Sequence, residues 1–168
     1  MNQDTPLSKS AQTVQAALRS KGFAYNVQEL TATTRTTQDA TSALRCEVAQ
    51  IVKSLLFRTA TQEPILVLMS GSNRVDEKKL AKLLGMDVLK ADADFTRKVT
   101  GFAIGGIPPL KDIQPHADSY RISHVFIDED LLQFSTCWAA AGTPNAIFNL
   151  NTVDLVQLSG GKIVDIKS

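Results

Sequence analysis

The chain has 168 residues, 43% of them apolar and 21% charged, and a formal net charge of +1. That is enough apolar material for one proper core, and too little charge for an overall positive field that would recruit a polyanion, so any nucleic-acid contact must come from local patches. Two distant cysteines, Cys46 and Cys137, argue against a disulfide framework or a zinc site and fit a reducing compartment.

The opening residues, MNQDTPLSKS, have no apolar stretch of signal-peptide type, and no apolar run is long enough to span a bilayer. A cytoplasmic protein with no membrane partner is expected. No repeat, low-complexity segment or linker divides the chain, so residues 1–168 are read as a single domain. Residues 7–21 predict a helix with Ser8 as cap, Val14, Ala17 and Leu18 on one face and Gly22 as stop. Residues 23–30 alternate as a strand does. Residues 36–45 predict a short helix capped by Thr36 or Thr37. Residues 50–59 and 64–70 are apolar strands, and TQEP between them predicts a hairpin. A helix follows over 76–84, with Asp76 and Glu77 in its first turn and Gly85 at its end. A short strand is expected at 87–89 and a short helix at 93–99.

Residues 101–109, GFAIGGIPP, form a Gly/Pro-rich loop. Residues 123–127, 134–140, 146–150 and 162–166 read as strands, with a helix between the last two capped by Thr152. Because the first crossings are hairpin-like, the interleaving predicts a mixed α/β fold with helices outside a mixed sheet, not a doubly wound parallel one. Neither GxGxxG after the first strand nor GxxxxGK[ST] occurs, so nucleotide-binding Rossmann and P-loop readings have little support.

Lys53 is the conspicuous residue. In a strand it shares a face with Ile51, Leu55 and Phe57, so its ammonium either snorkels to a rim or lines a polar cavity. In a cavity it would attract a carbonyl or phosphate oxygen. Gly105, Gly106, Ile107, Pro108 and Pro109 make a loop that is either an ordinary turn or a rigid frame aiming N–H groups at an oxygen. Gly142, Thr143, Pro144 and Asn145 join two strands, and Thr143 and Asn145 offer a hydroxyl and an amide. Thr36 and Thr37 open a helix whose N–H groups could face an anion.

Conventional catalytic sets are thin. His116 and His124 form no ligand-spaced pair, so no metal site is read. Ser54 beside Lys53 points to the opposite face, which weakens a Ser–Lys pair. Cys137 reads as inert core, and the run Asp128, Glu129, Asp130 as a solvated turn.

The order of these motifs is more specific than any one of them. TTQDA, QIVKSLLF, the helix VDEKKLAKLLG, TGFAIGGIPPL and WAAAGTPN together resemble the YbaK / prolyl-tRNA-synthetase-associated domain family over roughly residues 8–166. The resemblance implies a strongly twisted, partly barrel-like mixed sheet surrounded by helices. It implies hydrolysis of the aminoacyl ester of a mischarged tRNA, typically tRNA-Pro carrying alanine or another small amino acid, with transient contact with prolyl-tRNA synthetase. It maps the family lysine onto Lys53, the G-x-x-x-P loop onto Gly105 through to Pro109, and the pocket-lining turn onto Gly142 and Thr143. It implies neither a catalytic metal, nor a cofactor, nor a protein nucleophile. The alternative is a module that binds tRNA or a small ligand without hydrolysis. Arg45 stands where many relatives carry glycine after the helix, and residues 111–124 are the second departure from the family pattern.

Overall fold

Ser8 opens the first helix. Its hydroxyl accepts from the Ala11 amide at 3.3 Å and caps α1 (Lys9–Ser20), whose Ala11, Val14 and Leu18 are fully buried. The computed structural model describes residues 7–30, 41–42, 44–111, 113 and 122–168. Thr36, Thr37 and His116 therefore lie outside the described residues, as does most of the stretch 111–124. Of the helix expected over 36–45, residues 41, 42 and 44 are helical.

The strand expected over 23–30 is reduced to β1 (Gln28–Glu29), paired with Ile147 and Ala146. The reason is a side chain of α1. Gln15 donates to the Tyr25 carbonyl at 2.8 Å and accepts from the Val27 amide at 2.8 Å, so a helix residue satisfies the backbone that a neighbouring strand would have paired.

The hairpin forms as the sequence predicts. β2 (Val52–Thr59) and β3 (Pro64–Ser70) are antiparallel, with Lys53 opposite Met69 and Phe57 opposite Ile65. Residues 48–50 form a 3₁₀ turn and not the start of the strand. Next come α2 (Glu77–Leu84), β4 (Val88–Lys90) and α3 (Ala93–Thr100). Asp76 caps α2 by accepting from Lys78 and Lys79, and Gly85, at φ +72°, ends it. β5 (His124–Asp128) leads into a 3₁₀ segment, Glu129–Gln133, which shortens the strand expected over 134–140 to β6 (Thr136–Ala140). β7 (Ala146–Asn151), α4 (Thr152–Ser159) and β8 (Lys162–Val164) complete the order. Asn151, not Thr152, is the cap residue of α4, because Thr152 is already helical.

The strands make two sheets. One has the order β4-β2-β3-β5-β8, antiparallel through β3 and parallel from β3 to β8; the other is the antiparallel β1-β7-β6. Among the described residues a single isolated bridge, between Ile51 and Trp138, links them, and the strands do not close into a barrel. β4 pairs only with Phe57, Arg58 and Thr59 of β2, and the chain reaches the second sheet at the other end of the strand, through Ile51.

Strand alternation divides the interior in two. Val52, Leu56, Leu66, Leu68 and Ile127 face a larger core shared with Cys137, Phe148 and Leu150 of the smaller sheet and with α1 and α4. Phe57, Ile65, Val67, Met69 and Phe126 face a smaller core covered by Leu80 of α2 and by Ile166.

Candidate active site

The Gly/Pro loop is held in place before it turns. α3 ends at Gly101, φ +80°, and the Thr100 hydroxyl accepts from the Phe102 amide at 3.0 Å, seating the buried Phe102 ring. The Gly106 amide then donates to the Ala103 carbonyl at 2.9 Å. This turn needs a left-handed residue at its third position, and Gly105 supplies it at φ +83°. Ile107, Pro108, Pro109 and Leu110 are buried, so the turn projects from a fixed base.

A second turn locks onto the first. The Gly142 amide donates to the Gly106 carbonyl at 2.9 Å. A methyl group on Gly106 would lie 2.8 Å from the Thr143 Cα and 2.9 Å from its nitrogen. One on Gly142, at φ +102°, would lie 2.7 Å from the Ser10 carbonyl oxygen of α1. Pro144 packs at ordinary contact distance, 3.7 Å, from where a Gly105 Cβ would stand. The Thr143 hydroxyl accepts from the Asn145 and Ala146 amides at 3.3 and 3.0 Å, and the Asn145 carbonyl accepts from Leu30 at 2.8 Å. Seven expected site residues, Gly105, Gly106, Ile107, Pro109, Gly142, Thr143 and Asn145, thus fall in one pair of interlocked turns. The Gly106 amide is used by the turn itself. Those of Gly105 and Ile107 make no hydrogen bond among the described residues.

Lys53 is placed differently. Its half-buried ammonium donates to the Asn73 carbonyl at 2.5 Å, beside Met69 and the smaller core. Burial pushes its pKa down, the nearby Arg74 and Lys90 cations push the same way, and Asp128 opposes them. None of its hydrogen bonds reaches the glycine turns. It is, however, the second residue of β2, two positions from Ile51, whose bridge to Trp138 joins the sheet carrying the Gly142 turn. Ser54 points to the other face, as alternation requires, so no Ser–Lys pair forms. Its hydroxyl is buried with no partner among the described residues.

The acidic run beyond β5 is not a solvated turn. Asp128 is fully buried and accepts from the Ser70 amide at 3.1 Å, the Asn73 side-chain amide at 2.8 Å and the Asp130 amide at 3.0 Å. Asp130 accepts from the same Asn73 amide at 2.8 Å and from Lys167 at 2.7 Å. Lys167 first, and Asn73 next, hold the Asp130 carboxyl below the usual range. Cys137 is buried core, its thiol pushed up to about 12 by desolvation. His124 stacks on Phe126 at the start of β5, the strand-end place the sequence predicts. No group of metal-binding side chains occurs among the described residues.

The sequence profile of the aminoacyl-tRNA editing domain matches residues 31–158. The chain belongs to the aminoacyl-tRNA editing domain family. Its fold superposes on a solved protein proposed to be a trans-editing enzyme for prolyl-tRNA synthetase, with a TM-score of 0.86 and 41% identity, covering 97% of this chain and 99% of that one. YwhH of Bacillus subtilis (strain 168), whose role is uncharacterised, is 26% identical over 82% of this chain and 83% of its own. The proline–tRNA ligase of Limosilactobacillus fermentum is 32% identical over 51% of this chain, a match that spans only 16% of the ligase. Sequence reasoning singled out the glycine turns and Lys53. It read Asp128 and Asp130 as part of a solvated turn and did not single out Asn73, which the structure joins to both. The available signal was polar residues flanking two strands that pair only in the folded sheet.

Proposed function

We propose that the protein is an aminoacyl-tRNA deacylase acting in trans, which hydrolyses the ester of mischarged tRNA-Pro carrying alanine or another small amino acid. The observation that carries this reading is the interlocked pair of glycine turns. It offers the Gly105 and Ile107 amides on a frame that a single methyl group would disrupt. Such a frame can stabilise negative charge developing on a carbonyl oxygen without any titrating group. In this reading water attacks the ester carbonyl carbon, the bond to the terminal ribose oxygen breaks, and that oxygen takes up the proton, releasing free amino acid and tRNA. Residues 105–107 hold the ribose hydroxyl and the developing oxyanion. Lys53, with two ammonium hydrogens beyond the one given to Asn73, takes the terminal phosphate or the carbonyl. Pro109, Gly142, Thr143 and Asn145 shape the surrounding pocket, and Thr36 and Thr37 are proposed as further substrate-binding residues. A cytoplasmic protein with transient access to prolyl-tRNA synthetase would meet this substrate as it is released.

One observation favours a second reading, binding of tRNA or a small ligand without hydrolysis: the Lys53 ammonium is held by Asn73 and not by the glycine turns. A panel of tRNA-Pro charged with alanine, cysteine, serine, 2-aminobutyrate and proline separates the two. Deacylation of alanyl-tRNA-Pro with the prolyl ester spared supports the enzyme, and one methylene is worth about 1–3 kcal/mol of that discrimination. Intact esters throughout, with tRNA still bound, would leave the binding module.

A further inference from the structure

The turn that holds Lys53 is more firmly built than a lysine seeking any acceptor requires. The Asn73 amide donates to the Ser70 carbonyl at 3.0 Å and closes the turn. The Ser70 hydroxyl donates to the Ala49 carbonyl at 2.7 Å. Gly71 is pressed so closely on the chain before β2 that a methyl group there would lie 2.4 Å from the Val48 carbonyl oxygen and 3.0 Å from that of Ile51. Both ends of the turn, the Ser70 amide and the Asn73 side chain, are gripped by one oxygen of the buried Asp128. Asn73 is tied outward as well, through Asp130 to Lys167.

We infer that Asn73 and Asp128 are positioning residues for Lys53: Asp128 pins the turn of residues 70–73, so that the Asn73 carbonyl takes one ammonium hydrogen and aims the other two at the substrate. The inference rests on the deacylase reading for its last step only. An ammonium on a four-carbon stem has many rotamers, and a fixed acceptor removes most of them before the substrate arrives. The Asp128 carboxylate also opposes the burial, Arg74 and Lys90 that disfavour the charged form of Lys53.

Two variants test this. Asp128→Asn removes the one opposing negative charge, so the Lys53 ammonium, followed by NMR in protein with isotopically labelled lysine, should titrate at lower pH than in the wild type. Asn73→Ala frees the turn, so kcat for alanyl-tRNA-Pro should fall on the order of 10–100-fold, the range that misplacement by about an ångström produces, while KM stays near the wild-type value. A role in stability alone would lower the melting temperature of both variants and leave the Lys53 titration and kcat where they were, and that result overturns the inference. If Asp128→Asn does not fold, Gly71→Ala displaces the same turn from the Val48 side and should lower kcat in the same way. A wild-type protein that hydrolyses no aminoacyl-tRNA would overturn the deacylase reading instead. The titration, which needs no substrate, would still decide whether Asp128 governs Lys53.

Discussion

Asp130 sits below the ordinary carboxylate range because Lys167 and Asn73 both donate to it, and the folded state therefore binds its proton less readily than the unfolded chain does. A carboxyl whose pKa is depressed by folding adds stability above its unfolded value and loses it as pH falls through the folded one. Thermal melts should show stability declining as pH drops below about 4, the ordinary carboxylate value, and Asp130→Asn should flatten that decline. An unchanged acid profile in the variant would mean that the pair with Lys167, which is partly open to water, is screened to insignificance. The sequence made Lys53 legible and hid this cluster for the same reason. Strand alternation exposes a cation out of place among Ile51, Leu55 and Phe57. Asp128 and Asn73 look ordinary where they stand, since their partners lie 55 to 58 residues away along the chain.

Among the elements, those with local punctuation were readable. Ser8, Asp76, Gly85 and Gly101 begin or end their helices as capping chemistry requires. β1 was not, because Gln15 of α1 takes over the backbone of Tyr25 and Val27, and alternation cannot register a side chain arriving from another element. Arg45 is the converse case. It adopts φ 54°, a left-handed conformation that ordinarily favours glycine, and its neighbour Cys46 donates to the Thr41 carbonyl at 3.3 Å, so the helix end has its left-handed cap without a glycine. At the paired turns, Gly105 and Gly106 separate two effects. Gly106→Ala should destabilise the fold by about 1–3 kcal/mol, since the new methyl meets Thr143 backbone that cannot retreat. Gly105→Ala meets only ordinary contacts and bears the left-handed φ alone, about 1–2 kcal/mol. Its turnover should nevertheless fall strongly with tRNA binding nearly unchanged, because most binding energy comes from phosphates farther off. Wild-type turnover in Gly105→Ala would make the loop a turn and nothing more.

For the whole molecule, the mixed connectivity followed from the early hairpin and the later strand–helix alternation. The division into two sheets did not, because it depends on which strands pair across long stretches of chain, as β1 does with β7, and no local pattern records that. The near-neutral charge confines nucleic-acid contact to patches. Lys78 and Lys82 on α2 and Arg97 and Lys98 at the end of α3 are exposed, whereas Lys79 is engaged by Asp165 and the Lys167 carbonyl. Affinity for tRNA should therefore be weak and should fall by powers of ten between about 50 and 200 mM salt if several phosphates are neutralised. A constant affinity over that range would contradict binding through these groups.

The central claim joins Lys53 to hydrolysis of the ester, and single-turnover deacylation of alanyl-tRNA-Pro by wild type and Lys53→Ala tests it most directly. The wild type should release alanine. The variant, folded and with an unchanged melting profile, should do so about 10²–10³ times more slowly, equivalent to roughly 2–4 kcal/mol of barrier. Equal rates in the two proteins, or no release by the wild type, would contradict the account.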